Sequence, residues 1–126
     1  MSVSQRIPIT ARLFAALLLA APVPALADPP VIERVAATPG NDGWRFDVTL
    51  SHPDTGWEHY ADAWRVLDMA GNELGLRVLA HPHVAEQPFT RALSGVLIPE
   101  GMSQVQIQAR CLVDGWAEES VTVDLP

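Results

Sequence analysis

The sequence predicts an all-β domain, a seven-stranded antiparallel β-sandwich, over residues 28–126. Three observations support this fold class. Apolar and polar residues alternate with a period of two, which is typical of strands that bury one face. Glycine, proline, asparagine or aspartate interrupts this alternation about every 8–12 residues. Signals for helix starts and stops are nearly absent.

The first 27 residues are predicted to be a cleaved export signal. Arg6 and Arg12 precede an apolar run over 13–21, and Ala25 and Ala27 form an A-x-A cleavage pattern. The run is shorter than the roughly 20 residues that a membrane-spanning helix needs. No cysteine stands near the cleavage point to accept a lipid. We therefore expect a periplasmic or secreted protein with no stable membrane insertion.

Charge and cysteine content narrow the partners that this domain can have. Residues 28–126 contain six arginines and fifteen acidic residues, which gives a formal charge of −9. Such a surface disfavours nucleic acid and anionic lipid. Cys111 is the only cysteine, so an intramolecular disulfide is excluded and stability must come from packing in a single domain.

The first four strands follow from the alternation and its turns. A strand over 31–37 ends at the turn 38–43, and the clearest strand follows it at 44–51, where Trp44, Phe46, Val48 and Leu50 share one face. A strand over 60–68 places Trp64 and Val66 inward. The turn 69–72 leads into 73–80, where Leu74, Leu76, Val78 and Ala80 align. These last two strands are predicted to form a hairpin.

Three further strands complete the predicted sandwich. The strand over 89–98 ends at Pro99-Glu-Gly101. The strand over 103–113 places five residues on its inner face, and the strand over 119–125 places three. These inner residues are Val105, Ile107, Ala109, Cys111, Val113, Val121, Val123 and Leu125. Trp44 and Trp64 are both expected in the core.

The alternating direction of the strands places the candidate functional residues at one end of the sandwich. In an antiparallel run, successive connections alternate between the two ends of a sandwich. The connections 38–43, 69–72 and 99–102 then share one end, and the connections 52–59, 81–88 and 113–118 share the other. The second end carries all four histidines of the chain. Because loops at one end of a sandwich commonly carry function, we expect any site there.

The histidine spacing predicts a metal site at that end. His81 and His83, two residues apart in an extended segment, lie about 7 Å apart on one side of the chain. His59 in the neighbouring connection is the natural third ligand, and imidazole-rich sites suit copper or zinc. Surface histidines beside prolines that bind nothing are the alternative. His52 is the weaker candidate, because Asp54 and Thr55 after it are typical of a turn.

Several residues are candidates for supporting roles around that site. Glu58 and Asp114, together with Glu118, are carboxylates that can complete the ligand set or orient it. Cys111 shares its face with apolar residues, so it is either a buried small hydrophobe or a thiolate at a strand end that joins the histidines. No sequence motif of a nucleophile, P-loop or zinc protease occurs. A non-catalytic protein is therefore expected.

Two loop tryptophans support a second hypothesis. Trp57 and Trp116 both follow glycines at the histidine end. Exposed indoles there can dock a protein or stack on a glycan, which would make the domain an interaction module. In the alternative, the two rings fold back and cover the open end of the sandwich.

Two resemblances accompany these predictions. Seven short strands with a tryptophan on the third resemble an immunoglobulin-like or fibronectin type III-like sandwich, without the immunoglobulin disulfide. The segments 55–64 and 78–89 resemble those of a group of small exported bacterial proteins. That resemblance implies a secreted single domain with no assigned activity. It also implies that histidine is usual at the position of Asp114, so this chain departs from the group at a candidate fourth ligand.

Overall fold

The computed structural model describes residues 28–126, so the predicted export signal at 1–27 lies outside the described residues. The described part of the chain is all-β and contains eight strands and no helix. In order they are β1 (Val31–Thr38), β2 (Trp44–Ser51), β3 (Ala61–Leu67), β4 (Glu73–Val78), β5 (Phe89–Val96), β6 (Gln104–Cys111), β7 (Gly115–Trp116) and β8 (Val121–Asp124). No helix in this part is long and apolar enough to cross a membrane.

The strands form two antiparallel sheets. One has the order β1-β2-β5, and the other has the order β4-β3-β6-β7 with β8 also paired to β6. The eighth strand corrects the predicted count of seven. It is the two-residue β7, which lies inside the predicted connection 113–118. Gly115, at a φ of +77°, allows the chain to turn back so that Trp116 pairs with Arg110 of β6.

The core lies between the sheets and confirms the period-two alternation where it was clearest. Phe46, Val48 and Leu50 of β2 are at most 1% exposed, as are Trp64 and Val66 of β3. The inward residues Val105, Ile107, Ala109 and Cys111 of β6 are all fully buried. Each large side chain contributes about 1.5–3 kcal/mol by burial.

The fourth strand departs from the prediction. Leu76 and Val78 were expected inward, but they are 40% and 55% exposed, whereas Leu79 is 2% exposed. β4 is an edge strand that ends at Val78, and a bulge between Val66 and Leu67 shifts its register on β3. Leu79 then turns into the core, because its backbone N–H donates to the Asp62 carbonyl at 2.9 Å. The inner face of β4 is therefore out of phase with the prediction: Gly75 and Leu79 face the core, and the predicted Ala80 is exposed as well.

Two predicted inward residues near strand ends are also exposed. Val113 is 63% exposed because β6 ends at Cys111 rather than at 113. Val121 is 39% exposed at the start of the short β8, although Val123 and Leu125 pack against the core. Trp44 likewise packs against the core from a partly buried position.

The predicted hairpin between β3 and β4 is present, and its turn is organised by one carboxylate. Asp68 Oδ1 accepts hydrogen bonds from the backbone N–H groups of Ala70 and Asn72, and its Oδ2 accepts one from the Asn72 side chain. The hydrogen bonds from Asn72 lower the pKa of Asp68. This arrangement follows the usual preference for aspartate before a tight turn.

Hydrogen bonds tie three connections together at the opposite end of the sandwich. The Leu112 backbone N–H donates to the Tyr60 carbonyl at 3.0 Å. Gln87 accepts from the His52 backbone N–H at 3.0 Å and donates to the His83 carbonyl at 2.9 Å. The segments after β2, β4 and β6 are therefore held side by side, and this is the end that carries the histidines.

Candidate metal centre

Asp54 organises the histidine end from a fully buried position. Its Oδ1 lies 2.5 Å from His52 Nδ1 and accepts the Ala61 backbone N–H at 2.9 Å. Its Oδ2 accepts the His83 backbone N–H at 2.8 Å. Both oxygens are thus occupied, and the side chain has no exposed surface. One carboxylate fixes the loop after β2, the start of β3 and the segment before β5.

Three side chains converge beside Asp54. His52, His59 and Cys111 each offer one ligand atom, and these atoms lie within 4.8 Å of one another. Cys111 is fully buried and His52 is 3% exposed, while His59 is half-buried. The rings of His52 and His59 meet edge to face, with 4.9 Å between their centroids. Two imidazoles and one thiol form a ligand set suited to soft transition metals.

The imidazole nitrogens of this cluster are only partly used by the protein. His52 Nε2 and His59 Nε2 are buried and have no hydrogen-bond partner within residues 28–126. Because the Asp54 carboxylate only accepts, it holds the proton of His52 on Nδ1 and leaves a lone pair on Nε2. A carboxylate behind a histidine whose other nitrogen is free is the usual support of a metal-binding imidazole.

Local structure explains why these three residues meet. His52 and Asp54 follow the end of β2, and the Asp54 backbone N–H donates to the His52 carbonyl at 2.8 Å, so the turn brings the two side chains together. Cys111 ends β6 and pairs in register with Ala61, the first residue of β3. His59 pairs with Gly56 in an isolated bridge just before that strand. The adjacent β3 and β6 therefore bring Cys111 to the loop that carries both histidines.

The predicted ligand trio of His59, His81 and His83 is not the group that converges. Among residues 28–126, the cluster groups His59 with His52 and Cys111 instead. The rings of His81 and His83 do lie together, 4.5 Å between centroids. His81 is exposed, and its Nδ1 lies 3.0 Å from the carbonyl of the adjacent Pro82. The structure thus brings His59 together with His52, the weaker candidate from the sequence, rather than with His81 and His83.

His83 is held in a packing role. It is 4% exposed, and its ring stacks on Phe89 with 3.8 Å between centroids. Its Nε2 accepts a hydrogen bond from the Arg91 guanidinium at 2.9 Å. Burial, followed by the positive charges of Arg91 and His81, lowers the pKa of His83. A neutral ring that already accepts from a guanidinium has no free lone pair for a metal.

The predicted supporting carboxylates lie outside the cluster. All three are exposed, and none belongs to the converging group: Glu58, Asp114 and Glu118. Asp54, which the sequence indicated only as a turn residue, is the carboxylate that contacts a candidate ligand. The signal that could have identified it is the His52-Pro-Asp54 spacing, since aspartate two residues after histidine in a turn can bond the ring as well as the backbone.

The two loop tryptophans differ in their surroundings. Trp57 is 66% exposed and packs edge to face on Tyr60, with 5.8 Å between ring centroids. Trp116 is half-buried, and the guanidinium groups of Arg65 and Arg110 lie 3.9 Å and 5.0 Å from its ring centroid. Only Trp57 therefore presents a free indole at the loop end.

The chain has a relative among known proteins. The chain is 35% identical over 94 residues to a protein of Halomicrobium mukohataei named "Putative lipoprotein". The similarity covers 75% of this chain and 46% of that protein, so the chain spans about half the length of the relative. No protein-family model matches the chain. No solved structure matches it.

Proposed function

We propose that this chain is an exported, non-catalytic β-sandwich domain that binds a copper or zinc ion at His52, His59 and Cys111. The observation that carries the proposal is the pair of buried imidazole nitrogens without hydrogen-bond partners beside a buried thiol. A buried polar atom left unsatisfied costs about 1–3 kcal/mol. A metal ion bound by both nitrogens removes that cost for each of them.

The same geometry argues against catalysis. Cys111, His52 and Asp54 have the residue types of a nucleophile, base and orienting carboxylate. A nucleophile must contact substrate, however, and Cys111 is fully buried at the end of β6. His59 also belongs to the cluster, and such a triad has no use for a second imidazole. A ligand role accounts for both observations.

The sheet order supports an immunoglobulin-like or fibronectin type III-like arrangement as part of this proposal. The first sheet pairs β1, β2 and β5, and the second places β3 and β6 at its centre with β4 and β8 beside them. The chain therefore crosses between sheets after β2, after β4 and after β5, as in a Greek-key sandwich. In this arrangement the ligands come from one crossover loop and the adjacent end of β6.

Export is proposed from the predicted signal segment at 1–27. The name of the relative, "Putative lipoprotein", agrees with an exported protein. In this chain the only cysteine is Cys111, and it is buried in the sandwich, so we propose release without lipid. Mass spectrometry of the processed protein tests this proposal. The expected mature chain begins at Asp28, and an added lipid mass would contradict it.

Metal titration of the purified domain tests the binding proposal. Reduced protein is titrated with zinc and, under anaerobic conditions, with Cu(I), against a chromogenic chelator. One equivalent is expected to bind. His59→Gln, a change in a half-buried loop residue, should remove stoichiometric binding. The matched control His81→Gln alters an exposed histidine at the same end and should bind as the unmodified domain does. Absence of binding at micromolar metal, or equal loss in both variants, would overturn the proposal.

A second candidate function is docking of a protein partner at the same end. Four apolar side chains there are 46–66% exposed: Trp57, Val84, Leu112 and Val113. The three aliphatic residues favour a protein surface over the glycan that was the other predicted partner. Trp57→Ser should abolish such binding, whereas Leu97→Ser, at a residue 74% exposed elsewhere, should leave it unchanged. Binding of oligosaccharides instead would contradict this second candidate.

A further inference from the structure

We infer that the ion held by this centre is Cu(I), in trigonal coordination by His52 Nε2, His59 Nε2 and Cys111 Sγ. The inference rests on the proposed function, because it assumes that the cluster binds a metal. It adds the identity of the ion, its oxidation state and its coordination number, which together separate a copper protein from a zinc protein.

The number of ligands favours copper. Zinc in proteins is almost always four-coordinate, either with four protein ligands or with three and a water. Among residues 28–126, three side chains converge. The nearby carboxylate of Asp54 does not belong to the converging group, and its oxygens accept hydrogen bonds from His52, Ala61 and His83 instead. A three-ligand set satisfies Cu(I) and leaves zinc one ligand short.

Burial also favours copper. Cys111 and His52 are at most 3% exposed, and Nε2 of both cluster histidines is buried. The water that would complete a zinc site has little access to such a position. The thiolate and the imidazoles are soft and borderline ligands, and thiolate in particular selects Cu(I) over hard ions. A buried, water-poor set of three soft ligands is therefore matched to a soft monovalent ion.

The spacing of the ligand atoms requires only a small closure. Bonds of about 2.0–2.3 Å place trigonal ligand atoms roughly 3.6 Å apart. The atoms of the cluster lie within 4.8 Å of one another, so the widest gap closes by about 1 Å. His52 is fixed by Asp54, and Cys111 is fixed by the pairing of β6. His59, which lies in the turn that pairs with Gly56, is the ligand that moves.

The test combines competition with spectroscopy. Reduced full domain is loaded with one equivalent of zinc, and Cu(I) is then added anaerobically with a chromogenic Cu(I) chelator as competitor. Cu(I) is expected to displace zinc stoichiometrically. X-ray absorption at the copper edge should then show three-coordinate Cu(I) with one sulfur and two imidazole nitrogens.

Variants assign the ligands. Cys111→Ser should remove the copper–sulfur contribution from the spectrum. It should also weaken Cu(I) binding more strongly than the loss of a residue that is hydrogen-bonded to a ligand, which costs about 10–100-fold. Because Cys111 is buried, the folding of the Cys111→Ser variant is checked by circular dichroism. His59→Gln, which alters a half-buried loop residue, provides an independent readout through the loss of one copper–nitrogen contribution. The matched control His81→Gln should leave the spectrum unchanged.

The outcomes separate this inference from the proposed function. Stoichiometric zinc binding that one equivalent of Cu(I) does not displace would overturn the copper inference and leave the metal-binding proposal standing. Four-coordinate copper, or copper without sulfur, would also overturn the inference. If neither ion binds at micromolar concentration, both fail.

Discussion

Replacing Asp54 by asparagine removes the charge that organises the candidate metal centre while keeping the size of the side chain. Asp54 accepts three hydrogen bonds through its two oxygens and is fully buried. Asparagine has one oxygen, and its amide nitrogen would face a donor. At least one buried donor then loses its acceptor.

The expected loss of stability follows from those contacts. A hydrogen bond to a charged group contributes about 1.5–3 kcal/mol, and an unsatisfied buried donor costs about 1–3 kcal/mol. Because the bonds share one carboxylate, they are not additive, and we expect Asp54→Asn to lower the free energy of unfolding by about 2–4 kcal/mol. With a urea m-value of about 1–2 kcal/mol/M, the midpoint falls by roughly 1–4 M.

The assay is urea denaturation of metal-free protein, followed by metal titration of the folded variant. Asp114→Asn is the matched control, because Asp114 is an exposed carboxylate at the same end and should change stability by less than about 0.5 kcal/mol. Loss of the acceptor for His52 Nδ1 should also weaken metal binding about 10–100-fold. A variant as stable as the control, with unchanged metal affinity, would refute the role given to Asp54.

Three further predictions concern the surroundings of the site and the opposite end. Burial lowers the pKa of His83, so the unfolded chain takes up a proton at higher pH than the folded domain does. The free energy of unfolding should therefore fall as the pH drops from about 7 through about 6.5. His83→Gln should flatten this pH dependence in urea melts, and an unchanged slope would contradict the prediction. Gln87→Ala removes the two part-buried hydrogen bonds that join the His52 N–H and the His83 carbonyl, and it should cost about 1–3 kcal/mol, at about 0.5–1.5 kcal/mol for each bond. The control Gln104→Ala removes one exposed hydrogen bond, to Asp124, and should cost less than about 0.5 kcal/mol. Equal urea midpoints for the two variants would exclude the bridging role. Gly43→Ala should cost more than about 2 kcal/mol, because Gly43 has a φ of +118° and the new Cβ would lie 2.8 Å from a backbone carbon. Gly101→Ala should cost only about 1 kcal/mol, because Gly101 has a φ of +85° but lies in open space. Thermal melts that rank the two variants the other way would rule out the clash.

The period-two alternation could predict the sandwich because most strands bury one face. In β2 and β6 the buried residues are the ones that the alternation indicated, including Cys111. The pattern failed at β4 because the bulge between Val66 and Leu67 shifts the phase of the strand, so that Gly75 rather than Leu76 faces Leu93 and Val96 of the other sheet. It also could not detect the two-residue β7, which depends on a glycine turn rather than on side-chain periodicity.

The end of the sandwich that carries the candidate site was predictable, but the side chains that converge there were not. The alternating direction of the strands brought the loops together, and the hydrogen bonds between them agree with that placement. Sequence spacing favoured His81 and His83, yet spacing does not show which ring turns inward. Which ring turns inward depends on the strand register that places Cys111 beside Ala61. It also depends on the hydrogen bond that Asp54 Oδ2 accepts from the His83 backbone N–H.

The central claim is that His52 and His59 are the metal-binding imidazoles, and nitrogen NMR of the histidine rings tests it most directly. Long-range proton–nitrogen spectra are recorded for the metal-free domain and after one equivalent of zinc or Cu(I), both of which are diamagnetic. We predict that Nε2 of His52 and of His59 shifts to a metal-bound position, while His52 Nδ1 stays protonated and the signals of His81 hardly move. Shifts confined to His81 and His83, with His52 and His59 unchanged, would contradict the claim.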